Sequence, residues 1–138
     1  STRSRLFPDT VDVMGWNVSA NGFQLVMSRD VPRMASDYLG AEVTDFLSEY
    51  GLTTDDVTTW VCHPGGPKVL DAVAEALDVP PAALRHSWDS MRDNGNISSA
   101  SVLDVLNRTL TAPPARGTTG LLLAMGPGFS FELVLLGW

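Results

Sequence analysis

The sequence predicts an α/β domain built on a β-sheet of mixed direction and packed with helices. Near each end of the 138-residue chain, two β-rich runs flank a short cluster of turn-forming residues, which predicts a hairpin. Between the hairpins lie one short apolar run typical of a buried strand and four segments with helical periodicity. The predicted order is β-β-α-β-α-α-α-β-β. Two hairpins around one central strand make the sheet mixed in direction.

The first third of the chain holds the N-terminal hairpin and the first helix. Residues 1–9 are predicted to form an irregular lead-in, and residues 10–138 the domain itself. The runs TVDVMGWNV and GFQLVMS are partly alternating, and SANG between them favours a turn. A helix is predicted over about residues 33–50, with Gly51 as its stop. Its inward face is formed by Met34, Tyr38, Leu39, Val43, Phe46 and Leu47.

The remainder of the chain carries the central strand, three helices and the second hairpin. TTWVC predicts the strand, which leads directly into His63. Helices are predicted over residues 67–77, in DVPPAALRHSWDSM and in ISSASVLDVLNRTL. Leu84, Trp88 and Met91 mark the core face of the second of these helices. The final apolar runs surround a Gly-Pro-Gly turn and predict two paired strands.

Charge and composition argue against several kinds of partner. The net charge is −7 and the isoelectric point about 4.5, whereas nucleic acid and anionic membranes attract basic surfaces. No run approaches the roughly 20 apolar residues of a membrane span, and STRSRLFPDT lacks the apolar core of a signal peptide. The single cysteine, Cys62, permits neither an internal disulfide nor a Cys-based zinc cluster. We therefore expect a cytoplasmic protein, and we predict no metal site, because no second ligand lies at metal-binding spacing from His63.

His63 is the first candidate for chemistry. It stands where the predicted central strand ends and a Pro-Gly-Gly loop leads into a helix, a place where α/β sheets commonly bind ligands. It can act as an acid, base or oxyanion donor, or it can simply cap the loop. The adjacent Cys62 is rejected as its nucleophile, because neighbouring residues on a strand point to opposite faces. Cys62 is instead expected to be a small buried apolar residue.

Two further segments have both a structural and a functional interpretation. Asn96 stands at or near a helix N-cap, a common role for Asn, but its amide can also donate to a substrate carbonyl beside the helix N-terminus. The turn Gly126-Pro127-Gly128 connects two strands, but it can also form a rigid wall of a cavity. The residues alone leave both pairs of alternatives open.

Taken together and in this order, the three segments carry a family resemblance. HPGGPKVLD, GNISSASVL and GPGFSFE resemble the C-terminal half of type III polyketide synthases, the chalcone and stilbene synthase family. FQLVMSRDVP is also similar to a strand and turn of that family, so the resemblance covers about residues 7–138. Ketoacyl-ACP synthases III share the His and the Asn but usually lack Pro-Gly-Gly-Pro.

The resemblance implies a fold and a chemistry. The fold is the C-terminal half of a thiolase-type fold, and the catalytic set is Cys-His-Asn, with His63 and Asn96 matching its second and third members. The Cys belongs to an N-terminal half that we expect to be missing from this sequence, so the chain alone is expected to be inactive. The implied reaction condenses a CoA-linked starter with malonyl-CoA by decarboxylative Claisen condensation. CoA thioesters are its substrates and no cofactor is implied.

Further positions carry over from the same resemblance. Gly65, Gly66 and Lys68 match the loop beside the pantetheine arm of CoA, although an exposed helix Lys is an alternative reading of Lys68. The remaining matches line the substrate cavity, and they are Leu25, Ser98, Gly126, Pro127, Gly128 and Phe129. Leu25 stands where plant members often have a Phe, and the smaller side chain is compatible with aliphatic or small starters.

The expected partners follow from the same argument. They are acyl-CoA and malonyl-CoA, the Cys-bearing N-terminal domain, and a second copy in a homodimer; nucleic acid and membrane are not expected. An apolar face that normally packs on the N-terminal domain should be exposed and favour self-association. Two alternatives remain open, namely half of a ketoacyl-ACP synthase III-like condensing enzyme and a non-catalytic half that binds acyl-CoA or serves as a scaffold.

Overall fold

A computed structural model describes all residues, 1–138, and contains six strands and five α-helices. The strands are β1 (Thr2–Leu6), β2 (Met14–Ser19), β3 (Gly22–Met27), β4 (Val57–Cys62), β5 (Thr119–Gly126) and β6 (Ser130–Gly137). The helices are α1 (Val31–Met34), α2 (Gly40–Ser48), α3 (Pro67–Ala76), α4 (Arg85–Asn94) and α5 (Ala100–Thr111). A π-helical stretch, Ala35–Leu39, joins α1 to α2, and 3-10 turns cover Thr54–Asp56 and Pro81–Leu84.

The main sheet has the strand order β1-β6-β5-β4 and is mixed in direction, as predicted. β4 and β5 are parallel, with Cys62 opposite Leu123, whereas β5–β6 and β6–β1 are antiparallel. The prediction that two hairpins bracket one central strand is wrong in one respect. β2 and β3 pair only with each other, which leaves β4 at an edge of the sheet. Local pattern identified the hairpin but carries no information on which strand lies beside it.

Residues 1–9 differ from the expected irregular lead-in, because Thr2–Leu6 form the edge strand β1. The strand pairs with β6 in the register Ser4 to Glu132, and these two side chains also share a hydrogen bond of 2.8 Å. Most of its side chains are exposed, so the alternation of apolar and polar residues that identifies a half-buried strand is missing. The strand is held by its main-chain ladder and by charged side chains typical of a sheet edge.

The predicted helices are present, and the first of them begins two residues early, at Val31. Most of its predicted inward face is buried, but Tyr38 is exposed and lies beside Phe7, with ring centroids 5.1 Å apart. In α4 the buried face is shifted from the prediction. Ser87 and Ser90 are fully buried there, whereas Trp88 and Met91 are only half-buried. Small side chains let α4 approach the edge strand β4 closely.

The core lies between the main sheet and the helices. Its largest fully buried side chains include Phe46 from α2, Leu70 from α3, Leu121 and Leu123 from β5, and Phe129 and Phe131 around the last turn. Pairs of these aromatic rings meet nearly edge to face, as between Phe129 and Phe131 at 5.3 Å. None of the helices has the length and apolar character needed to span a membrane.

Candidate active site

His63 directly follows the carboxyl end of β4 and is held there by the sheet. Its backbone N–H donates to the carbonyl of Leu123 at 2.9 Å and so extends the parallel ladder by one residue. The side chain is half-buried, and this burial lowers the pKa of the imidazole. The neutral ring is therefore favoured at neutral pH, with one nitrogen as donor and the other as acceptor.

The loop after His63 turns at once into α3. The N–H of Gly65 donates to the His63 carbonyl at 3.0 Å, and the Gly66 carbonyl accepts from the N–H groups of Val69 and Leu70 at 3.0 Å each. A Cβ atom on Gly65 would lie 3.3 Å from the Val69 side chain, whereas one on Gly66 would meet nothing. Lys68, in the first turn of α3, is exposed and takes part in none of the seven ion pairs. It is therefore free to meet an anionic ligand.

Asn96 lies in the connection between α4 and α5, and it joins this connection to the His63 loop. Its Nδ2 donates to the Gly65 carbonyl at 3.0 Å, and its Oδ1 accepts from the N–H of Ser98 at 2.9 Å. Asn96 does not cap α5, whose N-cap residue is Ser99. A primary amide has two N–H hydrogens. Because Asn96 is exposed, the hydrogen that is not given to Gly65 can reach a ligand.

Ser98 lies beside Asn96 with a backbone φ of 61°, in the left-handed region that non-glycine residues seldom occupy. The bond from its N–H to Asn96 stabilises this turn, and its own side chain is exposed. The structure thus brings four sequence-predicted residues, at positions 63, 65, 96 and 98, to one place by main-chain and side-chain hydrogen bonds. Such local strain is often found at functional sites.

Cys62 is fully buried, and its burial raises the pKa of the thiol far above the usual range. A thiol in such surroundings stays protonated at neutral pH and is a poor nucleophile. The expectation that Cys62 is a small buried residue is confirmed by this placement. Within this sequence, no other thiol exists.

The Gly126-Pro127-Gly128 turn follows the carboxyl end of β5, the strand parallel to β4. It therefore lies at the same end of the sheet as His63, which follows the carboxyl end of β4. The N–H of Gly128 donates to the Met14 carbonyl at 2.8 Å, and this bond joins the turn to the β2–β3 hairpin. Gly128 has a φ of 134°, and a Cβ there would lie 2.6 Å from the Leu6 side chain. Only glycine fits this position without strain.

A groove of about 590 Å³ separates the turn from the hairpin. Its lining residues are Val11, Asp12, Gly15, Trp16, Asn17, Val26, Pro127 and Gly128. Of the predicted cavity residues, Pro127 and Gly128 therefore line the groove, whereas Gly126 and Leu25 do not. Phe129 is fully buried among Phe7 and Phe131, so its side chain belongs to the core.

Leu25 lies on a face of the hairpin whose residues are all apolar. Paired residues of an antiparallel hairpin share a face, and the three pairs on this face are Met14 with Met27, Trp16 with Leu25, and Val18 with Phe23. Phe23 is 75% exposed and Trp16 51%. Leu25 and Trp16 are direct cross-strand neighbours, and Trp16 also lines the groove. Sequence reasoning missed Trp16, although its position opposite Leu25 follows from the hairpin register.

The chain is similar to known proteins over its whole length. A family model described as chalcone and stilbene synthases, C-terminal domain, matches residues 1–137. The 1,3,6,8-tetrahydroxynaphthalene synthase of Streptomyces peucetius subsp. caesius is 50% identical over 139 residues, which cover 100% of this chain and 37% of that protein. The 3,5-dihydroxyphenylacetyl-CoA synthase of Streptomyces toyocaensis is 34% identical, with 98% of this chain and 35% of that protein covered.

A solved structure agrees with these relatives. The crystal structure of 1,3,6,8-tetrahydroxynaphthalene synthase from Streptomyces coelicolor A3(2), described as a bacterial type III polyketide synthase, superimposes with a TM-score of 0.92 at 34% identity. The match covers 100% of this chain and 40% of that one. The chain thus spans little more than a third of the length of the proteins that it matches.

Proposed function

The chain belongs to the chalcone and stilbene synthase family, as a C-terminal domain of a type III polyketide synthase, and from this we propose that it supplies His63 and Asn96 to a decarboxylative condensation of CoA thioesters. The observation that carries the proposal is the bond from the Asn96 amide to the carbonyl of Gly65, two residues after His63. It joins two segments 31 residues apart in the sequence into one polar site at the edge of the sheet. A relative is named as a synthase of 3,5-dihydroxyphenylacetyl-CoA, and its CoA-linked product supports CoA thioesters as the class of molecule handled.

The two side chains suit the charge that develops in this reaction. When malonyl-CoA loses carbon dioxide, the electron pair of the broken C–C bond passes to an enolate whose charge lies on the thioester oxygen. A neutral imidazole and a primary amide can each donate one hydrogen bond to that oxygen. The enolate carbon then attacks an acyl thioester, a new C–C bond forms, and the thiolate of that thioester leaves.

The acyl group is held by a cysteine outside this sequence, because the one cysteine within it is buried and protonated. We place this cysteine in an N-terminal domain that packs against the apolar face of the β2–β3 hairpin. Five of the six side chains on this face are exposed, with Met14 alone buried, and exposed apolar patches usually meet a partner. The chain alone is inactive in this proposal, and the complete enzyme is a cytoplasmic homodimer.

The pantetheine arm of CoA lies along the loop at Gly65 and Gly66. A glycine pair lets a ligand approach the main chain closely, and the N-terminus of α3 adds a partial positive charge. Lys68, which is free of ion pairs, contacts the anionic part of CoA. The chain has nine Lys and Arg residues against sixteen Asp and Glu residues, so further basic contacts to CoA come from the other domain.

A fusion protein tests the proposal. Residues 1–138 replace the C-terminal domain of the Streptomyces peucetius relative, and release of carbon dioxide from malonyl-CoA is measured for the fusion and for the chain alone. We expect turnover by the fusion only, and a loss of about 100- to 1000-fold in kcat on changing Asn96→Ala. Full activity of a folded Asn96→Ala fusion would refute the assigned role. Turnover by the chain alone would refute the dependence on a second domain.

A further inference from the structure

Two fully buried serines lie next to the two site residues, and neither was identified from the sequence pattern. Ser87 belongs to α4 and Ser101 to α5, and both are 0% exposed. Each hydroxyl forms a hydrogen bond with the main chain immediately beside His63 or Asn96. A buried serine hydroxyl needs such a partner, because burial without one is unfavourable.

Ser87 supplies a hydrogen bond to the unpaired edge of β4. Successive residues of a strand direct their N–H and C=O groups to opposite sides. Because His63 donates to Leu123 in β5, the carbonyl of Cys62 points to the side of β4 where no strand lies. The Ser87 hydroxyl donates to this carbonyl at 2.7 Å. It therefore fixes the peptide unit that links Cys62 to His63.

Ser101 fixes the connection that carries Asn96. Its Oγ accepts from the N–H of Ile97 at 2.8 Å, and its own N–H donates to the carbonyl of Ser98 at 3.0 Å. These two bonds enclose the residues that directly follow Asn96. The Ser98 N–H in turn donates to the Asn96 side chain, so movement of this turn also moves the amide.

We propose that Ser87 and Ser101 are positioning residues, which hold His63 and Asn96 in register with each other from helices α4 and α5. The catalytic meaning of the register rests on the function proposed above. A displacement of about 1 Å in a catalytic group can reduce the rate about 100-fold. An oxyanion site made of side chains from separate loops therefore requires main-chain anchors of this kind.

The experiment uses NMR spectroscopy on the isotope-labelled chain with Ser87→Ala and Ser101→Ala. We expect Ser101→Ala to shift the side-chain amide signals of Asn96 and to speed hydrogen exchange at Ile97 about ten-fold, the size of effect expected for one hydrogen bond. Ser87→Ala should shift the ring signals of His63. Ser87→Thr and Ser101→Thr, which keep the hydroxyl, should return these signals toward those of the parent chain.

The matched control is Thr109→Val, which removes another buried hydroxyl. Thr109 is 2% exposed and donates to the Val105 carbonyl within α5, away from the site. This variant should lose stability without changing the His63 or Asn96 signals. If Ser87→Ala does not fold, Ser87→Cys keeps the volume and weakens the donor. Unchanged site signals in folded Ala or Cys variants, or the same shifts in Thr109→Val, would overturn the proposal.

The fusion protein gives a second readout. Each Ser→Ala change should lower kcat for carbon dioxide release by at least ten-fold and leave KM for malonyl-CoA within about two-fold. The contacts proposed to bind CoA are unchanged in these variants, whereas the positions of His63 and Asn96 that stabilise the enolate charge are lost. An inactive parent fusion counts against the proposed function alone. The NMR signals of the chain still decide whether the serines position the site.

Discussion

Gly40 offers a test of the packing between the first long helical segment and α3. It is the first residue of α2 and lies against the C-terminal end of α3. A Cβ at this position would lie 2.5 Å from the main-chain oxygen of Ala76, the last residue of α3. Such an atom would have to move away by about 1 Å to reach ordinary contact. Because the obstacle is main chain, it cannot rotate aside as a side chain can.

Two opposing effects determine the outcome of Gly40→Ala. In a helix without tertiary contacts, Ala is more favourable than Gly by about 1 kcal/mol. Forcing an extra carbon into a packed seam costs about 1–3 kcal/mol, and an immovable neighbour favours the upper end. The seam is tight, since Leu39 and Val43 beside it are 0% exposed. We expect a net loss of about 2 kcal/mol, or about 6 °C in Tm for a domain of this size.

Thermal unfolding of the chain, followed by circular dichroism, measures this loss. Gly66→Ala is the matched control, because Gly66 is extended with φ 162° and a Cβ there meets nothing. We expect its Tm to stay equal or to rise slightly, as for other tolerated Gly→Ala changes. A Tm for Gly40→Ala at or above that of the parent would refute the close approach of Gly40 to the Ala76 carbonyl.

Three further predictions concern the site and its surroundings. Cys62→Ala should leave carbon dioxide release by the fusion within about two-fold of the parent, because a buried, protonated thiol takes no part in the reaction. Loss of the buried sulfur should lower the free energy of unfolding by about 1 kcal/mol. Loss of turnover in the folded variant would contradict the first expectation. The pKa of His63 is lower in the folded chain than in the unfolded chain, so the unfolded state binds more protons as pH falls below about 6.5. The stability contributed by neutral His63 is present above that pH and is lost below it. Denaturant titrations of His63→Gln should therefore show a smaller decrease in the free energy of unfolding between pH 7 and pH 5 than titrations of the parent chain. Asp104 accepts hydrogen bonds from Arg108 at 2.7 Å and from Asn94 at 3.1 Å, between α4 and α5. Asp104→Asn should therefore speed hydrogen exchange in residues 95–99 by about two- to five-fold at low salt, and by less at high salt. Equal exchange in the variant and the parent would show that these bonds do not stabilise the Asn96 connection.

The apolar face of the hairpin bears on how the chain behaves in isolation. Its exposed residues include Trp16, Phe23 and Leu25, and a flat apolar two-stranded sheet is seldom stable alone. The hairpin is joined to the domain by the main-chain bond from the Gly128 N–H to the Met14 carbonyl and by the Met14 side chain, which is buried in the core. Its position is therefore fixed, while its outer face remains available to a partner.

Local sequence determined most of the elements and the identity of the candidate site. The periodicity of apolar residues is a short-range property, so it located β4, α3, α5 and the last hairpin without reference to the rest of the fold. The capped turn at Thr53–Asp56 follows from the same local chemistry, since the Asp56 carboxylate accepts from the Thr53 backbone N–H at 2.8 Å. His63 and Asn96 were found through motifs whose glycines and small residues are also locally readable.

Tertiary structure alone decided which elements are neighbours and what each buried polar group contacts. The strand at residues 2–6 has no apolar alternation, and it exists because β6 offers an unpaired edge. Ser87 and Ser101 look like ordinary helix residues until the open edge of β4 and the turn after Asn96 are placed beside them. Pairing and burial depend on contacts far apart in the chain, and such contacts leave little trace in any short window of sequence.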